Sequence, residues 1–382
     1  MKTFAILIVT VVLLFLTGCW DQSELMERGF VLGTAIDQQE DQLELTVQFY
    51  RPSPMEGGGG ASEEPANFHI FSQTFSEGAR NLVNHVGRRA NWSHMQVIVI
   101  GEETARTRNL SEILDFFYRE QEPRVTTHIL IGQGKGSNYL DIKPIFEDSS
   151  GRQLREIQRF SQEVTGHTQE TTMHDLSVQM KSELGTAIIP YITKSGNEKI
   201  ETAPIIGVAI IKDDKMIKDL SGTETQSLLV LREEYNRANW KLPCKNGNKE
   251  NIFDNIEVFL FGSKLSPKIE GNKVTVDVSL QFEVTIREML CNLELETTED
   301  VEGFAGYIEE QIEKNLMNTL EILQESKVDA INLGNRVYHD NPKQWKEVKD
   351  QWDELFAESQ FVFDISVEIV GSEVIHYKPF LK

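Results

Sequence analysis

The stretch KVTVDVSLQFEVTIREM, Lys273 to Met289, restricts the possible folds of this chain more than any other. Val274, Val276, Val278, Leu280 and Phe282 alternate with polar neighbours. Period two over that length is a long strand with one face in a core and the other toward water, the habit of an antiparallel sheet. Such a strand needs a cover for its apolar face, and the residues that follow supply one. Val301, Phe304, Ile308, Ile312, Leu316, Leu320 and Leu323 recur at spacings of three and four, which predicts an amphipathic helix over roughly residues 300–326. Asn341 is placed as the N-cap of a second helix, with Pro342 at its first position and Gln344 completing a capping box. Trp345, Val348, Trp352, Leu355 and Phe356 form the apolar face of that helix. Phe361, Phe363, Ile365, Val367 and Ile369 then alternate as a last strand.

The first part of the chain has a different rhythm. FVLGTAID and LELTVQFY are strand-like runs separated by the polar QQEDQ, a hairpin pattern. After RPSPMEGGGGASEEPAN, too rich in proline and glycine to bury much, a strand resumes at FHIFSQTF. A helix is expected near 76–87, a buried strand at MQVIVIG, an amphipathic helix from Asn109, and a strand at THILIG. Residues 149–203 are polar with few strong apolar runs. IIGVAII, a turn at KDDK and a helix near 222–232 open the last part. The pattern predicts a multi-domain α+β protein with mixed sheets flanked by helices, its C-terminal sheet rich in antiparallel pairs and covered by two long helices. The expected parts are an N-terminal α/β domain at 19–148, a smaller, mostly helical middle domain or bridge at 149–203, and a C-terminal α+β domain at 204–382.

Residues 1–18 are expected to be a leader. The apolar run Phe4–Leu16 is shorter than the roughly 20 residues needed to cross a bilayer as a helix, and it has the flanks of a signal peptide. Leu16-Thr17-Gly18-Cys19 resembles the lipobox of bacterial lipoproteins, which implies a diacylglyceryl group on the Cys19 sulfur and cleavage just before it. Two acyl chains hold a protein stably to a membrane. Everything after Cys19 is then expected to fold outside the cytoplasm, without a span of its own.

Lys and Arg number 38 against 60 Asp and Glu, a formal charge of −22. With no basic face in so acidic a chain, nucleic acid is not an expected partner. Anionic lipid is expected to repel the body, leaving the tether and protein partners to hold it in place. Cys244 and Cys291 remain after lipidation, either as a disulfide or as two buried free thiols.

A search for chemistry finds little. GQGKGS, Gly132 to Ser137, follows a strand but lacks phosphate-loop spacing, and reads as a turn. His85 with His94, and His167 with His174, lack the spacing of a metal pair. No nucleophile elbow or triad is recognisable. The expectation is a protein without catalytic residues, cofactor or metal. Trp345 and Trp352 share a helix face, as core packing against the last strand or as a stripe facing a partner.

CWDQSELMERGFVLGTAID, Cys19 to Asp37, and DAINLGNRVYHDNPKQWKEVKDQWDELF, Asp329 to Phe356, together resemble the Ger(x)C family, the lipoprotein C subunits of nutrient germinant receptors in endospore-forming bacteria. Cys19, Trp20, Asp21, Glu24, Leu25 and Asp37 carry the likeness at one end. Asp329, Gly334, Pro342, Trp345, Trp352 and Phe356 carry it at the other. The resemblance implies a three-domain, non-enzymatic protein on the outer face of the spore inner membrane, acting with a multi-pass A subunit and a transporter-like B subunit. A solute-binding lipoprotein serving a transporter is the alternative, and would need a polar cleft between two lobes.

Overall fold

The computed structural model describes residues 25–52, 65–197, 200–244, 252–291 and 295–372. Cys19, Trp20, Asp21 and Glu24 lie outside them. The chain enters the fold through β1 (Arg28–Gln39), which turns back as β2 (Gln42–Phe49), and β3 (Ala66–Ser72) extends the antiparallel run. Helix α1 (Phe75–Val86) follows, capped by the Thr74 side chain, which accepts from the Glu77 amide. Next come β4 (Arg89–Asn91), β5 (Val97–Gly101), α2 (Glu102–Thr107), α3 (Leu110–Arg119) and β6 (His128–Gly132). Every residue of β5 and β6 is buried, as expected of parallel strands covered on both faces.

Helices α4 (Ser137–Leu140), α5 (Ser150–Thr165) and α6 (Met173–Met180) lead to β7 (Ala187–Ile192), and a small hairpin, β8 (Ser195–Asn197) with β9 (Ile200–Thr202), leads to β10 (Ile205–Lys212) and β11 (Lys215–Ser221). The large sheet runs β11-β10-β7-β6-β5-β1-β2-β3, with β4 paired beside β1. Its centre, β7-β6-β5-β1, is parallel, and antiparallel pairs flank it on both sides. One face packs on α1, α3 and α6 through residues such as Leu82, Phe117 and Leu176. The other receives Tyr139, Leu140 and Leu154 from α4 and α5.

The expected boundaries at 148/149 and 203/204 are not breaks in this sheet, because β7 comes from the middle segment and β10 and β11 from the C-terminal one. The middle segment is therefore two helices, a strand of the sheet and the small β8–β9 hairpin. Pro190 disguises that strand, since proline inside a run normally argues against an interior position. It is tolerated because β7 meets β6 only at Tyr191 and Ile192, while lower down the Ile129 amide donates to the Thr171 carbonyl instead.

Helix α7 (Gly222–Leu231) crosses to the second sheet, β12-β13-β14-β15, formed by Arg237–Pro243, Phe253–Glu270, Lys273–Glu288 and Gln360–Ser372. The first two pairings are antiparallel and β14 with β15 is parallel. The alternating residues of β14 are buried on one face, as the sequence pattern requires. Helix α8 (Thr298–Glu325) begins at a Thr297–Asp300 capping box and buries Phe304, Ile308, Ile312, Leu316, Leu320 and Leu323, each contributing roughly 1.5–3 kcal/mol by leaving water. The second covering helix is not continuous. After α9 (Leu333–Asp340), α10 (Pro342–Val348) gives way to a 3-10 turn at Lys349–Gln351 before α11 (Trp352–Ala357). Asn341 caps α10 as expected, its side chain accepting from the Gln344 amide. The Gln344 side chain reaches instead to the Ile269 carbonyl, at 3.3 Å. Cys244 and Cys291, just beyond β12 and β14, form a disulfide with their Cα atoms 5.3 Å apart.

Candidate functional site

Asp329 lies in the short connection between α8 and α9, and is 1% exposed. Its Oδ1 accepts from the Leu333 amide at 3.0 Å, and its Oδ2 from the Gly334 amide at 2.7 Å and the Trp352 indole N–H at 2.9 Å. The carboxylate thus satisfies the first turn of α9, where amides would otherwise lack partners. Burial raises its pKa above the ordinary value, and these three hydrogen bonds oppose the rise. Gly334 has to be small. A Cβ there would lie 2.7–2.8 Å from Leu184, Trp345 and the Trp352 indole nitrogen.

Trp345 and Trp352 are each 2% exposed and pack edge to face, their ring centroids 5.2 Å apart. Phe356 is fully buried in the same core cluster. The tryptophans therefore do not form an outward stripe, and their neighbours include more than the C-terminal sheet. The Trp345 indole donates to Glu183 at 2.9 Å, and Asn335 bonds both the Leu184 amide and Ser182. Residues 182–184 follow α6, so the cluster fastens the C-terminal helices to the first half of the chain. Lys212, at the end of β10, pairs with Asp353 and so ties the large sheet, though not the first half of the chain, to the same helices. The core itself is shared across this junction, since Ile188, Val208 and Ile210 pack with the residues beneath the second sheet.

Arg232, at the end of α7, was not foreseen from the sequence. Its guanidinium is buried, paired with Glu234 and bonded to the Ala330 carbonyl at 2.7 Å. Beside it a polar cavity of about 670 Å³ opens between the halves, with Gln169, His174, Asp175, Ser182 and Asn335 among its walls.

Asp37 forms a second anchor at the end of β1. Its two oxygens accept from the Gly136 amide at 2.6 Å and the Ser137 amide at 2.9 Å. The GQGKGS turn therefore wraps a carboxylate of its own chain, and the place an incoming phosphate would need is filled. A Cβ at Gly101 would collide with Asp37 Oδ1 and lie 3.0 Å from the Gly134 carbonyl. Burial raises the Asp37 pKa too, against the pull of the amides. Asp254 repeats the arrangement beside the disulfide, its Oδ1 accepting from the Leu290 and Cys291 amides at 2.6 and 2.9 Å. No local signal marks Asp254 in the sequence, because its partners stand almost forty residues away.

Of the histidines weighed as metal pairs, His94 packs edge-on against Phe30 and His167 packs over Gly222. Among the described residues, no helix is long and apolar enough to cross a membrane.

These features define a two-part α+β protein whose halves share a sheet and a core, and are fastened where Asp329, Gly334 and the tryptophans meet residues 182–184. Residues 21–194 match the model of the spore germination protein N-terminal domain, and residues 206–373 that of the spore germination B3/GerAC-like C-terminal domain. The chain belongs to this spore germination family, the one its two ends resemble. It is 24% identical to spore germination protein B3 of Bacillus subtilis (strain 168), over 94% of this chain and 95% of the relative. It is 22% identical to spore germination protein KC of the same organism, over 92% and 91%. A crystal structure of the GerBC protein has a similar fold, with a TM-score of 0.54 at 22% identity, covering 88% of this chain and 97% of that one.

Proposed function

We propose that this chain is a membrane-tethered, non-catalytic subunit of a spore nutrient germinant receptor, and that it works through contacts with integral membrane A and B subunits. The observation that carries the reading is that the two spore germination family domains account for nearly all of the residues past Cys19. The lipobox-like Leu16–Cys19 supplies the tether, a diacylglyceryl group on Cys19 at the outer face of the spore inner membrane. A tether raises the effective concentration of membrane-bound partners, so modest contacts suffice for assembly.

The acylated chain should co-purify from spore membranes with two integral membrane proteins, while the same chain shows no heat of binding with amino acids, sugars or nucleosides. A second reading, a solute-binding lipoprotein, draws on the polar cavity beside Arg232. Saturable binding of one such nutrient, lost on Arg232→Ala and without membrane partners, would replace the receptor reading with that one. Mass spectrometry of the mature N-terminus tests the tether separately. Cys19→Ala should remove the acyl mass, and an unmodified Cys19 in the wild-type chain would refute lipidation.

A further inference from the structure

The chain is strongly acidic overall, yet one end of the large sheet is not. Arg88, Arg89 and Arg124 are exposed there, and none of the three has an ion pair among the described residues. Arg89 stands opposite Arg28 where β4 pairs with β1. Glu122 ties the neighbouring loop to the same place, accepting from Arg28 at 3.3 Å and from the Trp92 amide at 3.1 Å. Exposed apolar side chains share the rim: Leu25 at 73%, Met26 at 76%, Tyr50 at 46% and Val125 at 56%. The Tyr50 amide donates to the Phe30 carbonyl, which places Tyr50 beside the start of β1. Asp21, Glu24, Glu27, Glu120 and Glu122 are the carboxylates nearby in sequence.

We infer that this rim is a docking surface for an anionic lipid bilayer, seated on the headgroups with its arginines toward lipid phosphate. Two observations select that occupant. The first is charge, since unpaired arginines grouped with exposed apolar side chains are what an acidic protein needs in order to approach a negative surface locally. The second is reach. Leu25 is six residues beyond Cys19, so a lipid on Cys19 lies within about 20 Å of the rim even with the chain fully extended. The second argument rests on the lipidation reading and the first does not. The loops at the other end of the same strands, around 39–42 and 133–137, would face away from the membrane toward partners.

The test uses the full chain with vesicles of phosphatidylcholine alone, or of phosphatidylcholine and phosphatidylglycerol in equal parts, with the acyl mass measured on the same sample. If Cys19 is acylated, the protein floats with both kinds of vesicle. Amide exchange in the segments 85–92 and 120–126 should then slow on anionic vesicles only, and recover at high salt, with 39–42 and 133–137 unchanged. If Cys19 is not acylated, the rim is read from salt-sensitive flotation on anionic vesicles alone. In either case the triple variant Arg88→Gln, Arg89→Gln, Arg124→Gln should lose the effect. At roughly fivefold per arginine near an anionic surface, partitioning of the unacylated chain should fall on the order of a hundredfold. All three side chains are exposed and have no ion pair among the described residues, so the variant should melt as the wild type does. Equal exchange on the two vesicle types, protection at the opposite end, or an unchanged triple variant would each overturn the inference, whatever the state of Cys19.

Discussion

Asp37 and Asp329 are built alike and do different work. Each is a buried carboxylate accepting from two consecutive backbone amides, 136 and 137 in one case and 333 and 334 in the other. Each sits against a glycine whose missing side chain makes the room. Asp37 ties a turn to a strand of its own sheet, and all its partners belong to the first half. Asp329 adds the Trp352 indole, and the ring of Trp345 carries the contact on to Glu183 in the first half. A buried carboxylate with two amides thus orders a local loop, and becomes a joint between parts only when long side chains around it reach across.

The largest effect should come from breaking that reach. Trp352→Ala empties a large aromatic site and removes a donor from Asp329, and should cost about 3–5 kcal/mol in urea unfolding. Near wild-type stability with lost receptor assembly would instead move the ring to an interface with a partner.

Gly334→Ala and Gly101→Ala separate the two anchors. Each pushes a methyl group into a filled space and should cost about 1–3 kcal/mol. Their local effects should differ. Gly334→Ala should speed amide exchange at residues 182–185 across the joint, whereas Gly101→Ala should speed it at 134–137 and leave the joint intact. Identical exchange patterns would erase the distinction drawn between the anchors.

The smallest effect is a pH dependence. A carboxyl whose pKa is higher in the fold than in the unfolded chain binds protons more tightly when folded. Its contribution is fully present below the ordinary aspartate range, about 3.9, and is lost as pH rises through the raised folded value. Asp329→Asn removes this term, so the stability gap between wild type and variant should widen as pH falls from neutral into mild acid. A gap that narrows over that window would contradict the direction.

Much of this was legible in the chain because its strongest signals are local. The alternation of β14 and the stripe of α8 each report one face of one element, and the Asn341-Pro342 start reports one helix end. The site was partly legible. Asp37, Asp329, Gly334 and the two tryptophans stood out, but their partners did not, since Gly136 and Glu183 lie about a hundred or more residues away. Strand β7 was hidden by Pro190, which is harmless only because the ladder to β6 is absent at that point. The break at Lys349–Gln351 was hidden for another reason. Trp345 and Trp352 are seven residues apart and fall on one face whether the helix is continuous or interrupted.

A common sheet, a common core and the tryptophan cluster join the two family domains, which should therefore melt as one cooperative body. Scanning calorimetry of the full chain measures this most directly. A single transition is expected, with agreeing calorimetric and van't Hoff enthalpies, dividing into two in Trp352→Ala. Two well-separated transitions in the wild-type chain, one for each domain, would contradict it.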